Sequence, residues 1–123
     1  TYEIPVVYAG SSSFWGGVYK NPYTFSKWQG EELCKMYERV FGLSVTICRF
    51  YNVYGDYMPT EGYSKLALSI FLEQHKGMFG GEKVYIDEIP GEQRETLCKS
   101  ELARKKLKWK PKRNLKDWIG EQI

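Results

Sequence analysis

Ile4-Pro5-Val6-Val7-Tyr8-Ala9, residues 23 to 41, and Val45-Thr46-Ile47-Cys48-Arg49-Phe50 are the stretches that decide the fold. The first is a short apolar run closed by Gly10 and three serines, the pattern of a buried parallel strand. Between them, Leu33, Met36, Tyr37, Val40 and Phe41 recur at helical spacing. Pro22 stands where a proline is tolerated in a first helical turn, and Gly42 is a plausible stop. The third stretch is rich in β-formers and reads as a second strand. Strand, long helix, strand is a βαβ arrangement with an expected right-handed crossover, and the class is α/β.

Working outward, the sequence predicts a loop over Tyr51 to Gly62 and a helix over Ser64 to Lys76 with Leu66, Ile70 and Phe71 on one stripe. A short strand over Lys83 to Ile86 and a helix over Lys99 to Leu107 follow, the latter with Leu102, Ala103 and Leu107 inward and Pro111 as its breaker. Leu115 to Ile119 reads as a last short helix. Two parallel strands leave both edges unpaired, so further strands are expected from elsewhere in the same protein or from a partner chain.

Composition narrows the function classes. The 123 residues are 42% hydrophobic and 16% aromatic, which excludes a disordered polar chain. No apolar run approaches the ~20 residues of a membrane helix. No secretory leader is visible, and the first residue, Thr1, suggests a chain that begins inside a longer protein. Cys34, Cys48 and Cys98 fit neither a zinc pattern nor a disulfide framework; a reducing, cytoplasmic compartment is expected. The net charge is +3, yet residues 99 to 116 hold nine Lys or Arg against Glu101 alone. A nucleic-acid patch is one reading of that run. With no nucleic-acid motif beside it, a solvated helix and loop is the better one.

Tyr23 and Lys27 lie four apart on one expected helix face. A cation there favours the phenolate, and a phenolate is a competent base for an alcohol proton. Ten tyrosines and thirteen lysines in 123 residues give about one such pair by chance, so context must carry the reading. Gly10-Ser11-Ser12-Ser13 brings hydroxyls to the carboxyl end of the first strand, and Arg49-Phe50-Tyr51-Asn52-Val53-Tyr54-Gly55 brings an aromatic and an amide to the end of the second. Open α/β sheets bind ligands at that edge.

These residues resemble the extended short-chain dehydrogenase/reductase family in its NAD-dependent nucleotide-sugar epimerase/dehydratase branch. Val7 to Gly16 is similar to the family's strand and Ser-Ser-Ser-x-Tyr-Gly turn. Asn21-Pro22-Tyr23-Thr24-Phe25-Ser26-Lys27 is similar to its Asn-Pro-Tyr-x-x-Ser-Lys signature, and Arg49 to Gly55 to its Arg-x-Phe-Asn-Val-Tyr-Gly stretch. Pro90-Gly91-Glu92-Gln93-Arg94-Glu95-Thr96 and Leu107-Lys108-Trp109-Lys110-Pro111 resemble its two C-terminal segments, in the right order.

The resemblance implies an incomplete Rossmann-like, doubly wound parallel sheet over residues 1–63 and a small α-rich remnant of a substrate domain over 64–123. It implies Tyr23 as catalytic base, Lys27 as its cationic partner that also holds the nicotinamide ribose, and Ser11 as the catalytic hydroxyl. Tyr51 would border the nicotinamide and Asn52 the substrate diphosphate, with Ser12 and Ser13 in substrate-binding positions. Dehydratases of the family carry Asp-Glu where Ser12 and Ser13 stand, so the resemblance favours an epimerase. NAD and a nucleotide sugar are the implied cofactor and substrate, and a homodimer or a complementing chain the implied partners.

Three departures accompany it. No Gly-x-x-Gly-x-x-Gly follows a strand, although the family holds the NAD pyrophosphate there. Gly16 and Tyr23 are seven apart where the family has a longer connection. The passage around Gly77 to Glu82 is abrupt where the family inserts a long stretch. A non-catalytic remnant serving as an interaction or assembly module is therefore the alternative reading.

Overall fold

A computed structural model describes residues 4–58, 68, 71–72, 91 and 96–122. Strand β1 spans Val6–Ser11 and pairs in parallel with β2, Val45–Phe50, in a register running from Val6 opposite Val45 to Ser11 opposite Phe50. Helix α1, Pro22–Phe41, connects them after a 3-10 turn over Ser12–Gly16. Helix α2 covers Glu101–Leu107 and α3 covers Leu115–Gln122. The α/β class and the two-stranded parallel sheet agree with the sequence reading.

The punctuation of α1 follows its residues. Asn21 is extended, its side-chain oxygen accepts the Thr24 amide at 2.8 Å, and Pro22 takes the first helical position. At the other end Gly42 adopts φ 68°, the left-handed cap that a glycine accepts without strain. One correction concerns β1. Expected over Ile4–Ala9, it runs two residues later and takes in Gly10 and Ser11. Ladder bonds to β2 outweigh the weak strand preference of Gly and Ser.

The two sheet faces differ. Val6, Tyr8 and Gly10, with Val45, Ile47 and Arg49, alternate onto the face that α1 covers. Tyr8 reaches α1 so closely that its hydroxyl donates to the Lys27 carbonyl at 3.3 Å and would collide with any side chain at Gly30. The opposite face carries Val7, Ala9, Thr46 and Phe50, all exposed. The expected apolar stripe of α1 (Leu33, Met36, Tyr37, Val40, Phe41) is likewise exposed.

The described residues fall into two compact units, one holding 4–52 with 91 and 96–98, the other 53–58, 68, 71–72 and 99–122. The second is built around Trp118, which is 2% exposed, stacks on Tyr54 at 5.4 Å, and donates its indole N–H to Asp56 at 3.2 Å. Arg113 faces Asp56 at 3.6 Å and Glu121 at 3.4 Å, and the Tyr54 hydroxyl donates to the Arg113 carbonyl at 3.2 Å. Two expectations for this unit need correction. Helix α2 starts at Glu101, because Ser100 is left-handed at φ 34°; it ends at Leu107 as expected, stopped by Lys108, left-handed at φ 52°, rather than by Pro111. Leu102 and Leu107 are exposed rather than inward; seven residues give two turns and no shared apolar face. Leu68, Phe71 and Leu72 are helical, as expected. The rest of the Ser64–Lys76 helix and the Lys83–Ile86 strand lie outside the described residues.

Candidate active site

All seven expected site residues belong to the first unit. Ser11 ends β1 and is buried; Ser12 is buried behind it in the 3-10 turn. The turn is held by its own hydroxyls. Ser11 Oγ lies 2.8 Å from Ser13 Oγ and accepts the Ser13 amide at 3.2 Å. Strand alternation places Ser11 with Val7 and Ala9, on the face opposite α1.

Tyr23 and Lys27 occupy the first turns of α1. The Lys27 ammonium donates to the Ala9 carbonyl at 3.1 Å and lies 5.8 Å from the centre of the Tyr8 ring. That bond ties the first turns of α1 to the strand two residues before Ser11. An ammonium has three donors, so two remain. Tyr23 is 58% exposed, and among the described residues its hydroxyl bonds to none of the three serines. Tyr51 is half-buried just beyond β2, and the exposed Asn52 donates to Thr96 Oγ1 at 3.3 Å.

The short connection from Gly16 to Tyr23 closes without strain on the neighbouring helix. Gly17 N–H donates to Phe14 O and Lys20 N–H to Gly17 O, each at 3.2 Å. Tyr19 then packs on Phe25 and Trp28 of α1, with all three ring centres within 5.8 Å of one another. Asn21, besides capping α1, donates to the Gly91 carbonyl at 3.1 Å. Gly91 has φ 85°, and a Cβ there would sit 2.7 Å from the Lys20 carbonyl oxygen, so only glycine allows this approach. Two of the sequence motifs, Asn-Pro-Tyr and Pro-Gly-Glu, thus touch.

Sequence reasoning passed over Glu31 and Arg49. Arg49 Nε lies 3.0 and 3.1 Å from the two Glu31 oxygens, and Nη2 donates to Oε2 at 2.6 Å. The Arg49 guanidinium stands 3.7 Å from the Phe14 ring centre and 5.0 Å from that of Trp15. The available signal was spacing: Tyr23, Lys27 and Glu31 form an i, i+4, i+8 row, and Arg49 alternates onto the same sheet face.

Residues 4–98 match the family model of the NAD dependent epimerase/dehydratase family. The chain belongs to this family. UDP-glucuronate 4-epimerase 2 of Arabidopsis thaliana is 32% identical over 106 positions, covering 68% of this chain and 24% of that protein. A putative UDP-glucose 4-epimerase of Methanocaldococcus jannaschii is 39% identical over 54 positions, 44% of this chain and 17% of its own length. GDP-mannose 3,5-epimerase of Arabidopsis thaliana is 35% identical over 60 positions, 49% of this chain and 16% of that protein. The chain therefore spans between 16% and 24% of the length of these relatives. The 106 positions shared with the glucuronate epimerase take up only 68% of 123 residues, so that relative carries stretches which this family member lacks. No solved structure matches the chain. Among the described residues, no helix is long and apolar enough to cross a membrane.

Proposed function

We propose that this chain is the base-bearing part of an NAD-dependent nucleotide-sugar epimerase. The observation that supports it best is the Lys27–Ala9 bond, which draws the Tyr23–Lys27 turn of α1 toward the strand end where Ser11 stands. In this reading Tyr23 takes the proton from a sugar hydroxyl and later returns it, while Ser11 donates to the same oxygen. Lys27 is one helical turn from Tyr23, and its two remaining donors suit the hydroxyls of a ribose. Tyr51 would border the nicotinamide, Ser12 and Ser13 the sugar, and Asn52 the diphosphate.

The residues present fit the nicotinamide-ribose end of NAD in kind: a half-buried cation with donors to spare, and one helical turn before it an accessible phenol. When bound, NAD would supply reversible hydride exchange at the sugar carbon. The chain's residues orient the sugar and move the hydroxyl proton. From the relatives' names only the substrate class is carried over, a nucleoside-diphosphate sugar. Serines in place of a dehydratase's acid pair favour epimerisation over loss of water. Residues 1–63 would then be the second half of the NAD-binding domain and 64–123 a shortened substrate segment. The edges of the sheet, open among the described residues, suit a second copy or a complementing chain, and the three unpaired cysteines suit the cytoplasm.

The test is turnover of a nucleotide hexose with NAD by the polypeptide that carries this chain. Tyr23→Phe should lower kcat by about 10²–10⁴-fold, the usual worth of a general base, with KM within a few-fold. Retention of most activity would remove Tyr23 from the role. A second reading, a non-catalytic interaction module, is favoured by the exposed Tyr23 hydroxyl and by a Ser11 hydroxyl already engaged with Ser13. NAD titration followed by tryptophan fluorescence separates the two. Quenching at micromolar NAD supports the enzyme, and no response up to millimolar NAD supports the module.

A further inference from the structure

The proposed site draws on three separate segments, and one guanidinium, carried on the third, reaches the other two. Arg49 belongs to β2, just before Phe50-Tyr51-Asn52. Its edge forks onto Glu31 of α1, one turn beyond Lys27 and two beyond Tyr23. Its centre lies over Phe14 and near Trp15, in the turn that continues from Ser11. The Glu31 side chain is 1% exposed and that of Arg49 23%. Gly10 makes room for the pair, because a Cβ there would come within 2.5 Å of Glu31 Oε1 and 3.2 Å of Arg49 Cγ.

We propose that Glu31 and Arg49 are positioning residues that set the Ser11–Ser13 hydroxyl turn against the Tyr23–Lys27 face of α1. The proposal rests on the reading of those residues as the site. A planar guanidinium meets two demands at once: its edge matches a carboxylate bidentately, and its face stacks on an aromatic ring. An ammonium is drawn to a ring but has no plane to stack on it, so lysine at this position can hold Glu31 but cannot fork onto the carboxylate and stack on the rings at once. Stability alone is a weak account of the pair, because apolar residues of similar volume often replace a buried ion pair at no loss. Linking a helix, a strand end and a turn through one planar group is what such a replacement cannot reproduce.

The test uses the full chain and needs no ligand. Arg49→Lys and the double variant Glu31→Gln/Arg49→Met are followed by thermal melting, amide NMR and hydrogen exchange. The expected result for Arg49→Lys is displaced signals for Ser11 to Trp15, including the Trp15 indole N–H, with at least tenfold faster exchange of the Ser13 amide. The α1 and β2 amides remain protected. The double variant should melt within a few degrees of the parent and show the same displaced turn. A folded Arg49→Lys chain with unchanged Ser11–Trp15 signals would overturn the proposal. So would exchange that rises uniformly over β1, α1 and β2, the mark of a merely structural pair. Should the double variant not fold, Arg49→Lys decides alone. Failure of the functional reading shows elsewhere, in an active Tyr23→Phe or an absent NAD response, and leaves these signals unchanged.

Discussion

Both units set an arginine against carboxylates, and they use it in opposite ways. In the first unit Arg49 forks at 2.6–3.1 Å onto a carboxylate that is 1% exposed, beneath the ring of Phe14. In the second, Arg113 lies 3.4–3.6 Å from Glu121 and Asp56, with all three side chains more than half exposed. Buried charges must be paired, because neither can recover its water; exposed ones are solvated with or without the partner. The first pair therefore constrains the geometry of its unit. The second decorates a unit whose organisation comes from Trp118, Tyr54 and Asp56. Similar chemistry on one chain teaches that burial, not the identity of the ions, decides what an ion pair does.

Breaking the first pair should give the largest effect. Glu31→Ala leaves the Arg49 guanidinium without a counter-charge against the sheet, and removal of one partner of a buried pair costs about 3–5 kcal/mol. Partial access of Arg49 to water argues for the lower end of that range. Chemical denaturation of the full chain measures it, and a loss below about 1 kcal/mol would put this pair in the same class as the exposed one. Gly10→Ala should come next, at about 1–3 kcal/mol, since the added methyl meets Glu31 Oε1, Arg49 Cγ and Ile47 Cγ2 together. The same substitution in the Glu31→Ala background should cost much less, because the carboxylate it collides with is gone. Equal costs in the two backgrounds would show that the collision lies elsewhere.

What was legible in the sequence divides along the same line. Local rules sufficed for β2 and for both ends of α1, where Pro22 and Gly42 carry their own signals. The family resemblance, which the match over residues 4–98 supports, came from motifs that are contiguous in sequence. The displacement of β1 was illegible because parallel pairing with β2, a long-range event, extended the ladder through Gly10 and Ser11. Helix α2 failed in the opposite sense: its apolar residues suggested an inward face, but Leu102 and Leu107 are five apart and share none, and both are exposed. Glu31 and Arg49 escaped because a charge on a helix or strand reads as solvated unless its partner is known. Here the partner is 18 residues away, on another element.

Arg113→Ala should have the smallest effect, within about 0–1 kcal/mol, the usual worth of an exposed pair. The distances to Asp56 and Glu121 are those of loosely held ions rather than charge-assisted hydrogen bonds. What Arg113 gives Tyr54 is its backbone carbonyl, which alanine retains. Asp56 keeps the indole N–H of Trp118 as a donor whether or not the guanidinium is nearby. An exposed carboxylate can still respond to a close cation: a hydrogen bond from Lys35 holds the Glu32 carboxyl below the usual range on the surface of α1. Such pairs are screened, since the Debye length falls to about 3 Å at 1 M salt. Melting of parent and Arg113→Ala chains at low and at molar salt should therefore converge, whereas the gap between parent and Glu31→Ala persists. If Arg113→Ala cost more than about 2 kcal/mol at either salt, an exposed arginine would be organising its unit as firmly as the buried one, and the contrast between the two regions would fail.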